Sequence, residues 1–358
     1  MSDSESIIVD TANRICQDLC EPGVINEAEA GTWPADLWNA LEESGLTLTW
    51  VSDEIGGAGA EMADGFAVLK VAGAYATPVP LAETLLAGWL LGQAGLQVPM
   101  GPMTAASGYD GAPVTLAGGR LAGSAEAVPF GRNAEHIAVL ARDGDASVVA
   151  LVKASDCAIA PGTSLAGEPA DDVAFDDVTP VSVNPAPAGL DEAALQAFGA
   201  AVRCTQMAGA LQRILDQSVQ YALEREQFGR PIGKFQAVQH ALAELAGEAA
   251  AAGAAAEAVA EAICADGALT TSGWSEAAMA EIATAKVRIG EAATKGSAIA
   301  HQAHGAMGFT YEHSLHHRTR RLWVWRDEFG NEAEWSIRLG QMVAARGADD
   351  LWAFVTGT

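Results

Sequence analysis

Two stretches of this 358-residue chain carry side chains suited to holding a phosphate-rich ligand. The first is Tyr221-Ala-Leu-Glu-Arg-Glu-Gln-Phe-Gly-Arg-Pro-Ile-Gly-Lys-Phe-Gln-Ala-Val-Gln-His240. It reads as a helix end, a Gly/Pro turn with three cations, and a new helix. A guanidinium at such a turn can grip a pyrophosphate through two parallel N–H donors. Arg225 and Arg230 can equally cap the carbonyls of the ending helix, and the residues alone leave both readings open. The second stretch is His301-Gln-Ala-His-Gly-Ala-Met-Gly-Phe-Thr-Tyr-Glu312, followed by HSLHHRTRRLWVWRDEFG. Its glycines let a ligand approach the backbone. Arg318, Arg320, Arg321 and Arg326 gather here, in a chain with only 20 Lys and Arg. A phosphate-rich ligand and ion pairing across a subunit interface are the two readings. The histidines lack Cys or Asp at metal-ligand spacing, so no metal site is expected.

Self-contained catalytic signatures are absent: there is no G-x-S-x-G, no H-E-x-x-H and no P-loop. Gly56, Gly57 and Gly59 mimic a dinucleotide loop but have no strand before them and no βαβ unit around them, so they read as a turn. The five cysteines are odd in number and scattered. Cys16 and Cys20 lie one helical turn apart without a complementary pair, and buried reduced thiols are expected.

The elements that must position these groups fall into three regions. Residues 5–20 and 34–46 read as amphipathic helices. Residues 62–97 have helical spacing and almost no charge, and Pro78 and Pro80 break them into two helices. From 113 to 180 short β-favouring runs alternate with Gly, Asp and Pro turns: VTLAGGRL, HIAVLAR, SVVALVK, DVAFDDV and TPVSV. Beyond 190 the chain is helical: 191–225, an Ala-rich 235–265, a break at DGALTTSG, then 275–303 and a last helix from about 313. The expected architecture is α+β, with an N-terminal helical domain (1–102), a middle antiparallel β domain (103–188) and a C-terminal four-helix bundle (189–358).

Composition sets outer limits. Half the residues are hydrophobic but only 6% aromatic, so small side chains must fill much of the core. A net charge of −26 argues against nucleic acid or an anionic membrane as partner, since both need a basic surface. No apolar run reaches 18 residues, and MSDSESIIVD lacks the apolar core of a signal peptide, so a reducing cytoplasm is expected.

The segment Arg225-Glu-Gln-Phe-Gly-Arg-Pro-Ile-Gly-Lys-Phe-Gln236 resembles the R-x-x-F-G-x-x-(I/L)-x-x-x-Q signature of acyl-CoA dehydrogenases. Gln302-x-x-Gly-x-x-Gly308-Phe-Thr-x-Glu312 resembles that family's second C-terminal signature, and the two lie about 65 to 75 residues apart, as the family has them. Leu41-Glu-Glu-Ser-Gly-Leu46 with Ser52-Asp-Glu-Ile-Gly-Gly-Ala-Gly59 resembles the N-terminal helix pair and its P-E-x-x-G-G-x-G turn. The resemblance spans nearly the whole chain. It implies FAD, an acyl-CoA thioester and an electron-transfer flavoprotein as acceptor. A carboxylate takes the proton α to the thioester carbonyl, and the β hydride passes to flavin N5. The family's signatures bind the FAD of a neighbouring subunit. They carry over here to Arg225, Gln227, Phe228, Gln236, Gln302 and Gly305, with Arg225 on the pyrophosphate and the glutamines and Gly305 on the adenosine half.

Departures are equally informative. Nothing between 95 and 125 matches the family's T-E-P-x-x-G-S-D-like loop. The W-(I/S)-T-N segment that packs on the flavin ring falls near Ala127-Val-Pro-Phe-Gly131, which has no Trp. Counting without gaps puts one family position for the catalytic carboxylate on Phe329 and the other on Gly199, and neither is an acid. Glu328 sits one residue away. On a helix that shift turns a side chain by about 100°, which leaves Glu328 a weak candidate base. These features are similar to the shorter subunit of bacterial α2β2 acyl-CoA dehydrogenases, which completes its partner's FAD site. A self-sufficient homotetramer with a displaced base (Glu328 or Glu312) and a non-catalytic scaffold are the alternatives.

Overall fold

The computed structural model of the protein describes residues 3–108, 112–265 and 268–356. The N-terminal region forms α1 (Asp3–Leu19), α2 (Pro22–Glu29), α3 (Ala35–Glu43), α4 (Met62–Tyr75) and α5 (Leu81–Gln93). The proline break between the last two falls where expected. The short α2 starts on Pro22, whose ring presets the first helical φ. At the Ser52–Gly59 turn, a Cβ on Gly57 would overlap the Val51 carbonyl, so only glycine closes it.

The middle region forms β1 (Met103–Ser107), β2 (Thr115–Ala117), β3 (Arg120–Pro129), β4 (His136–Asp143), β5 (Ala146–Lys153), β6 (Ala158–Ala160), β7 (Ala170–Val178) and β8 (Ser182–Pro185). They pair in the order β6-β7-β3-β2-β4-β5-β8. The sheet is mixed, which corrects the antiparallel expectation: β1 runs parallel to β4, with Met103 opposite His136, and β2 touches β4 in parallel at Thr115–Arg142. Strand β1 enters directly from α5, not through a hairpin, and so is free to take the parallel direction.

The C-terminal region forms α6 (Glu192–Glu224), α7 (Gln236–Cys264), α8 (Glu276–His304), α9 (Leu315–Asp327), α10 (Glu332–Arg346) and α11 (Leu351–Thr356). Of the expected break at 266–273, residues 266 and 267 lie outside the described residues; Leu269–Thr270 and Gly273–Trp274 make a short hairpin. The single last helix expected from 313 is in fact split. Phe329 (φ 57°) and Gly330 (φ 92°) take left-handed backbone and end the run. Trp335 Nε1 donates to the Phe329 carbonyl at 2.9 Å, and Asn331 accepts from the Ala333 and Glu334 amides to start α10.

The N-terminal helices and the bundle share one hydrophobic core, while the sheet encloses a second. Helices α4 and α6 cross at backbone contact. A Cβ on Gly73 would overlap the Gln206 carbonyl, and one on Gly209 would overlap the Lys70 carbonyl. Further along α6, Phe198 packs on Trp89 (centroids 4.1 Å), Trp50 and Trp274, concentrating the scarce aromatics where four segments meet. Cys16, Cys20 and Cys204 are buried free thiols as expected; Cys264 is exposed. No helix of the described residues is long and apolar enough to cross a membrane.

Candidate functional site

The two phosphate-type stretches meet at one end of the bundle. Tyr221, in the last turn of α6, stacks on His304, in the last turn of α8 (4.4 Å), and its hydroxyl donates to the His304 carbonyl at 3.3 Å. Arg225 is the C-cap residue of α6. Gln227 pairs with Arg230 in a tight hairpin whose tip is Phe228 (φ 54°), 93% exposed. Gln236 opens α7, and Gln302 and Gly305 close α8, where Gly305 takes φ 59°. All six residues are exposed. Among the described residues the Arg225 side chain has no hydrogen bond or ion pair, so its guanidinium faces outward and does not cap its own helix. The Arg230 guanidinium lies 4.3 Å over the Phe235 ring.

The arginine cluster behaves differently from either sequence reading. Arg321, fully buried, pairs with Glu168 (2.8 Å) and Glu29 (3.1 Å), and Arg320 also pairs with Glu29. Arg318 donates to the carbonyls of Ala74 (2.7 Å) and Ser314 (3.1 Å), and Arg326 pairs with Glu332. These cations are therefore spent within the chain. Burial pushes the Glu168 carboxyl up, against the pull of Arg321. Glu29 and Glu168 are too distant in sequence for spacing to pair them with α9.

The two positions expected for a catalytic carboxylate come together in space. A Cβ on Gly199 would overlap the Phe329 ring. The ring thus lies against α6 at Gly199 and fills the space between the two positions. With Ala82, Glu83, Leu86, Thr104, Ala105, Pro129, Val202 and Arg203 it walls a cleft of about 10 Å3. Arg203, 3% exposed, donates to Glu328 (2.5 Å), Glu83 (2.6 Å) and Gln206 (2.6 Å). Burial alone would lower the Arg203 pKa, but Glu328 and Glu83 outweigh it and the group is raised. Glu328 is thus an ion-pair partner at the cleft edge. Lys286 on α8 fixes the segment from behind: its Nζ donates to the carbonyls of Trp325 (2.8 Å), Arg326 (3.0 Å) and Glu328 (2.7 Å). Neither Arg203 nor Lys286 stood out in the sequence; a lone cation within a long apolar helix run was the available signal.

The Ala127–Gly131 turn, where a flavin-packing segment was expected, is also closed in. Phe130 (φ 54°) is 6% exposed. The fully buried Asp171 holds the turn by accepting from the Arg132 amide (2.7 Å), Arg132 Nε (2.9 Å) and the Gly162 amide (3.0 Å).

Helices, central sheet and a helical C-terminal region are the layers of a flavin-dependent dehydrogenase of acyl thioesters, and the comparisons agree. The acyl-CoA dehydrogenase N-terminal domain matches residues 2–97, and the C-terminal domain residues 194–332. The chain is 31% identical to acyl-CoA dehydrogenase FadE27 of Mycobacterium tuberculosis, over 78% of this chain and 80% of that one. It is 28% identical to acyl-CoA dehydrogenase IpdE2 of Mycolicibacterium smegmatis, over 88% and 91%. The ChsE4-ChsE5 complex from Mycobacterium tuberculosis superposes with a TM-score of 0.83 at 24% identity, covering 97% of this chain and 99% of that one. The chain belongs to the acyl-CoA dehydrogenase family, whose cofactor is FAD.

The residues fit that cofactor in part. The exposed guanidinium and amides at the end of the bundle match a pyrophosphate and an adenosine. The cleft beside Phe329 has room for about one water molecule at most, so it fits neither an isoalloxazine nor an acyl chain in this arrangement.

Proposed function

We propose that this chain is the non-catalytic subunit of a two-gene acyl-CoA dehydrogenase, completing the FAD site of a partner that carries the base. FAD, when bound, supplies the acceptor for the hydride leaving the β carbon of the acyl-CoA thioester. Arg225 places two N–H donors on the pyrophosphate. Gln227, Gln236 and Gln302 offer amides to the adenosine half, Gly305 lets it approach the backbone, and Phe228 packs beside it. The α-proton goes to a carboxylate of the partner, because here Phe329 and Gly199 occupy the two family positions for the base. An electron-transfer flavoprotein is the proposed acceptor of the electrons.

One observation carries this reading: Phe329 packs on Gly199 while Glu328 is held by Arg203, so no carboxylate of the cleft is free to take a proton. The six signature residues, in contrast, are exposed, and the Arg225 guanidinium has no partner among the described residues. The self-sufficient homotetramer would need Glu328 released from Arg203 and room made for the flavin ring.

The test is the visible spectrum of the purified chain, alone and after co-expression with a second acyl-CoA dehydrogenase subunit. A colourless chain that enters a yellow complex, bleached by an acyl-CoA, supports the reading. A chain that is yellow alone and bleached by an acyl-CoA overturns it.

A further inference from the structure

Beside the second signature, where Tyr311 packs edge-on against His316, the end of α2 meets the first turn of α9. His316 Nδ1 lies 2.7 Å from the His313 carbonyl, so it carries the proton and leaves Nε2 as a lone pair. His317 Nε2 lies 2.8 Å from Asn26 Oδ1, which leaves Nδ1 as a lone pair. Both free nitrogens are buried and have no hydrogen-bond partner. His317 is fully enclosed and His316 is 8% exposed. One oxygen of Glu29 completes the group: it and one nitrogen of each ring lie within 4.8 Å of one another.

We propose that Glu29, His316 and His317 bind a divalent d-block cation of the zinc type. Two neutral imidazoles and one carboxylate, with further positions left for water, are a recognised donor set for such ions, and hard cations such as Mg2+ would not choose them. Each imidazole is oriented from behind by an oxygen, as metal-bound histidines are. Glu29 borders an open groove of about 310 Å3 between α2 and the 163–169 loop, which gives an ion a way in. The opposing factor is Arg320 and Arg321, which share the Glu29 carboxylate. Their charge sets the affinity well below that of an all-thiolate structural site, and it also supplies a test.

The full chain, stripped with a chelator, is titrated with Co2+ and Zn2+. The expected result is one equivalent per chain, with d–d bands in the Co2+ form from imidazole ligation. His316→Ala should weaken binding at least about tenfold. Glu29→Gln, which keeps an acceptor for the arginines, tests the same point should the buried histidine variant fail to fold. Arg320→Gln should tighten binding by about tenfold or more, since it removes a unit charge close to a dication. Absence of one-equivalent binding, binding indifferent to His316→Ala and Glu29→Gln, or no tightening in Arg320→Gln would overturn the proposal and leave bridging water as the occupant of the gap.

Discussion

Glu328→Gln separates an ion-pair role from a catalytic one. The side chain accepts from Arg203 Nε at 2.5 Å and is one quarter exposed. A hydrogen bond to a charged group contributes about 1.5–3 kcal/mol. Glutamine keeps a carbonyl acceptor, Arg203 keeps Glu83 and Gln206, and solvent screens the open side. The expected loss of stability is therefore about 1 kcal/mol, read as a shift of the urea midpoint at constant slope. Turnover of the assembled complex should stay within about twofold of wild type. A general base, by contrast, contributes about 10²–10⁴-fold. A fall of that size at unchanged flavin content would refute the reasoning, because it would make Glu328 the proton acceptor and the Arg203 contact incidental.

Arg203→Met should be far more damaging, by about 3–5 kcal/mol, since it strands the buried Glu83 carboxylate, and thermal unfolding would measure it. Gly199→Ala should cost about 1–3 kcal/mol through overlap with the Phe329 ring; Phe329→Leu should recover part of it, and a double-mutant cycle that shows no coupling contradicts the packing. Arg225→Ala should lower the flavin content of the assembled complex and leave the unfolding midpoint of the isolated chain unchanged. Acid should weaken the fold, because burial holds His301, His304, His313, His316 and His317 below their usual pKa, with His317 pushed to about 2. The native state then binds fewer protons than the unfolded chain. That contribution is complete above about pH 6.5 and is lost as pH falls towards the folded values, with His317 alone accounting for about 1.4 kcal/mol per pH unit. Denaturation midpoints at pH 8 and pH 5 check the sign.

Local signals made much of this fold readable. Pro78 and Pro80 divide α4 from α5, the Gly118–Gly119 turn joins β2 to β3, and alanine carries α7, all through short-range physics. The parallel partner of β1 was not readable, because a five-residue run does not encode its direction. The split after α9 was hidden for a related reason: Phe329 has no intrinsic preference for left-handed backbone and is held there by packing on Gly199 and by Trp335. Counting puts the two expected base positions on Phe329 and Gly199, and only three dimensions show that these residues touch. The arginine cluster was legible as a concentration of charge and illegible as a set of pairs, because Glu29 and Glu168 approach α9 from far along the chain.

Helix α8 has one consequence beyond stability. Lys286 grips the carbonyls that place Phe329, and Gln302 on the same helix belongs to the exposed signature face. Sixteen residues of helix separate them, a strut of about 24 Å at the usual rise. A strut transmits translation along its axis without storing it in bends. A load applied at the signature face would therefore be felt at the carbonyls that anchor Phe329, which makes the closure of the cleft a matter of mechanics as well as of residue identity.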